Sequence, residues 1–210
     1  MEDTRLEITA KMVKELRDKT NAGMMDCKQA LAATEGDVGK AVDWLRQKGL
    51  LTARKRSGRA TREGEVHAYI HAGGKIGVMV EVNCETDFVA KTDQFREFTH
   101  NVAMHIAAAN PLCLDSASIP ADLMAREKEI YRVQALESGK PEKVVEKIIE
   151  GRIKKFYAEV CLLDQPFIKD PNISIKDLLN DTVAKLGENI NIRRFIRYQV
   201  GEELEGEAAE

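Results

Sequence analysis

The chain has 210 residues, 43% hydrophobic and 32% charged, with a formal net charge of −3. That length holds one good core or two small ones, and the composition is that of a soluble globular protein, not a disordered one. The apolar runs fall far short of a membrane span, the start Met1-Glu2-Asp3-Thr4-Arg5 is charged instead of leader-like, and a slight acidic excess argues against wholesale binding of DNA or RNA. A cytoplasmic location is the expectation. Cys27, Cys84, Cys113 and Cys161 lack Cys-x-x-Cys spacing, which points to free thiols and away from a zinc site or a disulfide framework.

Residues 1–52 read as three short helices. Ile8, Met12, Val13 and Leu16 form the stripe of the first, with Thr9 as its N-cap and a stop near Thr20-Asn21-Ala22-Gly23. The second runs from about Met24 through Cys27, Ala30 and Leu31 to the Glu35-Gly36 break. Asp37 caps the third, which carries Val38, Ala41, Val42 and Leu45 and is expected to end at Gly49. Helices this short are marginal alone and have to pack as a bundle. Residues 53–64 hold several Lys and Arg and no sustained apolar stripe, and read as a basic linker. An RNA-binding patch is the alternative, but no aromatic residues interleave the charges.

From Glu65 the period changes to two. Val66, Ala68 and Ile70 share one face, Ala72-Gly73-Gly74-Lys75 makes a hairpin loop, and Ile76, Val78, Val80 and Val82 line one face of the return strand. The opposite face, read as bearing His67, Tyr69, His71, Met79 and Glu81, is the one expected to be open to a partner. Next comes a helix with Phe95, Phe98, Val102 and Ile106 inward, ended by Asn110-Pro111. A helix from Pro120 to Gly139 follows, then a long amphipathic helix from Pro141. After the Gln165-Pro166-Phe167 break, Ser174-Ile175-Lys176-Asp177 is a capping box, and Ile190, Ile192, Ile196, Tyr198 and Val200 alternate as a third strand. The acidic tail, residues 201–210, reads as frayed. Residues 65–200 thus make an α+β core: a three-stranded antiparallel sheet packed with helices.

The segment Val82-Asn83-Cys84-Glu85-Thr86-Asp87-Phe88-Val89-Ala90-Lys91 stands out, because it sets an acid beside an aromatic where a strand hands over to a helix. Such a pair can disturb a metal or phosphate site on another protein, yet it contains no nucleophile and no paired acid and base. The plainer reading is that Phe88 folds into the core. No phosphate-binding glycine loop, Gly-x-Ser-x-Gly or His-Glu-x-x-His occurs. His67 and His71 lie about 13 Å apart along a strand, too far for one metal ion. His100 and His105 point in different directions on a helix. Cys84 has no partner histidine assigned by sequence, and reads as a packing residue.

Two long motifs then carry a resemblance. Val13-Lys14-Glu15-Leu16-Arg17 with Thr20-Asn21-Ala22-Gly23-Met24-Met25-Asp26-Cys27-Lys28-Gln29-Ala30-Leu31, and Glu81 through Ala90, are similar in content and order to those of the elongation factor Ts family, the guanine-nucleotide exchange factors of elongation factor Tu. Family-like segments recur at Tyr69 to Gly77, Gly139-Lys140-Pro141, Glu150 to Phe156 and Gly187 to Arg194. The resemblance implies that the first bundle is similar to a ubiquitin-associated (UBA-like) domain and docks on the partner's nucleotide-binding domain through Arg17, Met24, Met25 and Lys28, with His71 a further contact. It implies that Thr86, Asp87, Phe88 and Val89 dislodge magnesium from the partner's nucleotide, and that the partner is bound both with GDP and nucleotide-free.

The same resemblance implies no enzyme activity and no cofactor. Only one sheet's worth of strands is present, as in short family members, which implies a homodimer and a two-plus-two complex. A UBA-like adaptor or nascent-chain-binding module, resting on the three helices alone, is the alternative reading.

Overall fold

In a computed structural model the described residues are 8–20, 22–137 and 141–203. The expectations for Asn21, for a stop at Gly139 and for the tail beyond residue 203 lie outside them. The chain forms two compact units. One comprises the chain up to Gly64 with residues 83–96 and 179–191; the other comprises residues 65–82, 97–178 and the chain from Ile192.

The first unit begins with α1 (Ala10–Thr20), α2 (Met24–Ala33) and α3 (Val38–Arg56). Leu16, Cys27, Ala30, Leu31 and Ala41 are buried together, with Val13, Trp44 and Leu45 packed on them. The expected caps are in place: the Thr9 hydroxyl accepts the Met12 N–H at 3.3 Å, and the Asp37 carboxylate accepts the Lys40 N–H at 3.0 Å. The turn between α2 and α3 uses left-handed backbone at Glu35 and Gly36, whose N–H closes onto the Leu31 carbonyl. Contrary to the expected stop at Gly49, α3 runs through it for seven further residues to Arg56. A glycine weakens a helix by only about 1 kcal/mol, too little to end it here, and a Cβ at Gly49 would make only ordinary van der Waals contact with the Ala184 methyl, at 3.5 Å.

The strands β1 (Glu63–Ile70), β2 (Ile76–Cys84) and β5 (Ile190–Gln199), most of whose residues belong to the second unit, form a sheet in the order β1-β2-β5. The His71 N–H donates to the Ile76 carbonyl and the Val200 N–H to the Lys75 carbonyl, so both neighbours of β2 run antiparallel to it. Between the strands lie α4 (Asp87–Ala90), α5 (Asp93–Ala109), α6 (Ala121–Glu137), α7 (Glu142–Val160), β3 (Pro166–Phe167), β4 (Asp170–Ser174) and α8 (Ile175–Leu186). The capping box holds: Ser174 and Asp177 exchange hydrogen bonds at 2.9 to 3.1 Å. The small hairpin of β3 and β4 was not anticipated, because a two-residue strand has no period to read.

One face of the sheet is corrected. Pairing His71 with Ile76 sets Tyr69 and His67 opposite Val78 and Val80, whose side chains are buried. His67 and Tyr69 therefore lie on the helix side, where both rings meet His100 of α5. Val66 and Ile70 instead share the open face with Met79, as do Ile196, Tyr198 and Val200, all of them exposed.

Candidate functional site

The end of β2 and the head of α4 build an exposed tip from residues of the first unit. Thr86 is extended (φ −128°, ψ 153°) and caps α4, its hydroxyl accepting the Val89 N–H at 3.4 Å. One turn later Thr92 ties back to the Val89 carbonyl at 2.7 Å and accepts the Phe95 N–H at 3.3 Å, starting α5. Between these two threonines Phe88 is left 79% exposed. The core reading of Phe88 is thereby excluded, since a folded-in ring would lose this surface. Asp87 pairs with Lys91 one turn along at 2.7 Å, and that ammonium holds the carboxyl below the usual carboxylate range.

The tip is held from behind by groups the sequence reading did not single out. The Glu188 carboxylate accepts the Glu85 N–H at 3.1 Å, the Thr86 N–H at 3.0 Å and the Thr86 hydroxyl at 2.6 Å. In return the Glu85 carboxylate accepts the Asn189 N–H at 2.6 Å and is flanked by Arg59 at 3.4 Å. The Asn189 side chain reaches back to the Arg59 carbonyl at 2.8 Å. Gly187, at φ +77°, supplies the left-handed turn that brings Glu188 round. Only the family-like segment Gly187-Glu188-Asn189 pointed there in the sequence.

Behind the tip the buried Cys84 thiol donates to the Thr86 carbonyl at 3.1 Å. Burial pushes this thiol up to about 11, reinforced by the nearby Glu188 charge, so it stays protonated and unreactive at neutral pH. It packs, as expected, and its contact with the Thr86 carbonyl also braces the turn.

Arg17, Met24, Met25 and Lys28 are all exposed, the two methionines at 62% and 67%. Arg17 sits in the last turn of α1 and the other three in the first turns of α2. The connection between the helices is fixed by the Thr20 hydroxyl, which donates to the Leu16 carbonyl and accepts the Ala22 N–H. His71 belongs to the other unit, at the hairpin end of β1, with its Nδ1 3.0 Å from the Tyr69 hydroxyl. His67 turns instead to His100 and Glu65, and the buried His105 to Gln165. Among the described residues no group of three or more His, Cys, Asp or Glu could hold a metal ion, and no helix is long and apolar enough to cross a membrane.

The α+β fold displays an exposed acid–aromatic tip braced by the Glu188 and Glu85 carboxylates, a surface feature suited to contact with another macromolecule. The family model described as Elongation factor TS matches residues 6–202. The chain is 63% identical over 195 residues to Elongation factor Ts of Desulfosudis oleivorans, covering 93% of this chain and 98% of that one. It is 59% identical to that of Carboxydothermus hydrogenoformans over 197 residues, 94% and 91% of the two chains, and 58% identical to that of Geobacter sulfurreducens over 200 residues, 95% and 93%. The chain belongs to the elongation factor Ts family, and its role is that of the guanine-nucleotide exchange factor for elongation factor Tu.

Proposed function

We propose that this protein expels GDP by inserting the tip Thr86 to Val89 into the nucleotide site of elongation factor Tu, where Asp87 disturbs the water shell of the partner's magnesium and Phe88 holds the site open. The observation that supports this reading best is the 79% exposure of Phe88 on a tip braced by the Glu188 and Glu85 carboxylates. An apolar ring kept in water by a rigid turn is a contact in waiting. Asp87 has to leave Lys91 to act, and an exposed ion pair one helical turn apart is worth only about 0.3–0.5 kcal/mol.

Exchange requires that this protein and GDP each weaken the other's binding. A thousandfold antagonism corresponds to about 4 kcal/mol, whereas burying one phenyl ring contributes about 1.5–3 kcal/mol. The ring alone is insufficient, and loss of the magnesium's bridging contacts supplies the remainder. Affinity common to all nucleotide states comes from the UBA-like bundle, through Arg17, Met24, Met25 and Lys28, with His71 as a further contact. The protein acts by this coupling alone, as a cytoplasmic factor without covalent chemistry of its own. The open sheet face, with Val66, Ile70, Met79, Ile196, Tyr198 and Val200 exposed, supports a homodimer and hence a two-plus-two complex.

The test is release of a fluorescent GDP analogue from elongation factor Tu under a chase of excess GDP. Wild type accelerates release strongly and the Phe88→Ala form does so weakly. Equal acceleration by both would reject the wedge.

A further inference from the structure

The helices α6 and α7 pack on each other through Ala135, Val145 and Ile149. The chain approaches this helical hairpin at Cys113 and leaves it at Cys161, and there the two backbones run side by side as a parallel bridge. The Val160 carbonyl accepts the Leu112 and Cys113 N–H groups at 2.9 and 3.2 Å, and the Cys113 carbonyl accepts the Leu162 N–H at 2.9 Å. Paired backbones lie ~4.8 Å apart, within the ~4.4–6.8 Å between Cα atoms that a disulfide spans. The two sulfurs are 3.7 Å apart and reduced.

We propose that Cys113 and Cys161 are a reversible oxidation site, a thiol pair that closes to an intramolecular disulfide on meeting a small disulfide of the glutathione class and so clasps the neck of the α6–α7 hairpin.

The roles of the two thiols follow from their surroundings. Cys113 is partly exposed and Cys161 fully buried, so the oxidant reaches Cys113 first. Burial raises both thiols, Cys161 to about 12, while a hydrogen bond from Cys161 favours the Cys113 thiolate. The Cys113 thiolate attacks one sulfur of the small disulfide, whose S–S bond breaks with the electron pair leaving on the first small thiolate. Cys161 then gives up its proton and attacks the Cys113 sulfur of the mixed disulfide, releasing the second small thiolate. Two protein thiols are oxidised, one small disulfide is reduced to two thiols, and these take up the two protons. The bridge joins residues 48 positions apart, constraining a long segment of the chain.

The full chain, equilibrated with oxidised glutathione and quenched with iodoacetamide, is expected to fall from four free thiols to two. Peptide mapping should place the link between Cys113 and Cys161, and dithiothreitol should reverse it. The Cys161→Ser form should stop at one glutathione adduct on Cys113. Four thiols remaining in wild type, a persistent wild-type adduct on Cys113, or a link involving Cys27 or Cys84 would each overturn the proposal. If Cys161→Ser fails to fold, the wild-type thiol count and peptide map still decide.

Discussion

Glu188 holds Thr86 twice, accepting its hydroxyl at 2.6 Å and its backbone N–H at 3.0 Å across 102 residues of sequence. The latch is reciprocal, because Glu85 next to Thr86 accepts the N–H of Asn189 next to Glu188. If the tip acts on the partner as proposed, it needs such backing, since a loose turn would spend the contact energy of Phe88 on its own ordering. Glu188→Ala leaves the Glu85 and Thr86 donors without this acceptor, at about 1–3 kcal/mol. We expect stimulated GDP release to fall about tenfold, the equivalent of ~1.4 kcal/mol, with an intermediate effect from Glu188→Gln. Stopped-flow release beside urea denaturation separates the loss at the tip from global unfolding.

Phe88 makes the opposite case. Its ring is exposed, so Phe88→Ala should change stability by less than about 0.5 kcal/mol. Exchange should slow by roughly ten- to a hundredfold, the rate equivalent of ~1.5–3 kcal/mol of ring burial. A variant that melts several degrees lower would show that the ring is packed in solution.

Local signals in the sequence located most elements, and long-range pairings decided what they left open. Thr9, Asp37 and the Ser174–Asp177 box act within three residues, so each cap was legible and is observed. The side of β1 that faces the helices was not: Val66, Ala68 and Ile70 alternate as well on one face as on the other, and the hairpin register chooses. Gly49 was mistaken for a terminator because a glycine inside a helix looks, in sequence, like one that ends it, and α3 continues to Arg56. Thr86 to Val89 stood out as a segment, whereas Glu188 did not, since nothing local marks a carboxylate whose partners lie a hundred residues away.

Met24 and Met25 are exposed in the first turn of α2, whereas Cys27, Ala30 and Leu31 further along the helix are buried. Replacing both with Ala removes apolar surface without opening a cavity, so the melting temperature should hold within about 2 °C. If the bundle docks on elongation factor Tu, the double variant should bind nucleotide-free partner at least tenfold more weakly by calorimetry. GDP release should then recover at high concentration of the variant. A lower maximal rate at saturation would instead place the methionines in the exchange step.

The open sheet face gives the homodimer a direct test. Ile70 lies against Gly77, where a Cβ would come within 3.1 Å of its Cδ1, and Tyr198 is 63% exposed. Ile70→Asp with Tyr198→Asp places charges on that face without touching a buried side chain. Sedimentation equilibrium should show a wild-type dimer and a monomeric variant with the same far-ultraviolet circular dichroism. A monomeric wild type would remove the two-plus-two complex as well.

Cys84 links the tip to pH. Its thiol, ordinarily near 9.0, is pushed up to about 11 by burial and by Glu188. Below about pH 9 the thiol is protonated in both folded and unfolded chains and stability does not depend on it. Between about pH 9 and 11 the unfolded chain releases the proton while the folded one retains it, so stability falls as the pH rises. Cys161, pushed still higher, adds to the same alkaline loss. In Cys84→Ala the Cys84 share is absent, so the gap in urea midpoint between wild type and variant should narrow from about pH 8 to about pH 11. The same variant should retain most of its GDP-release activity at neutral pH, because the thiol braces the Thr86 carbonyl at 3.1 Å and performs no chemistry. Complete loss of exchange with the fold intact would instead make Cys84 a working group of the tip.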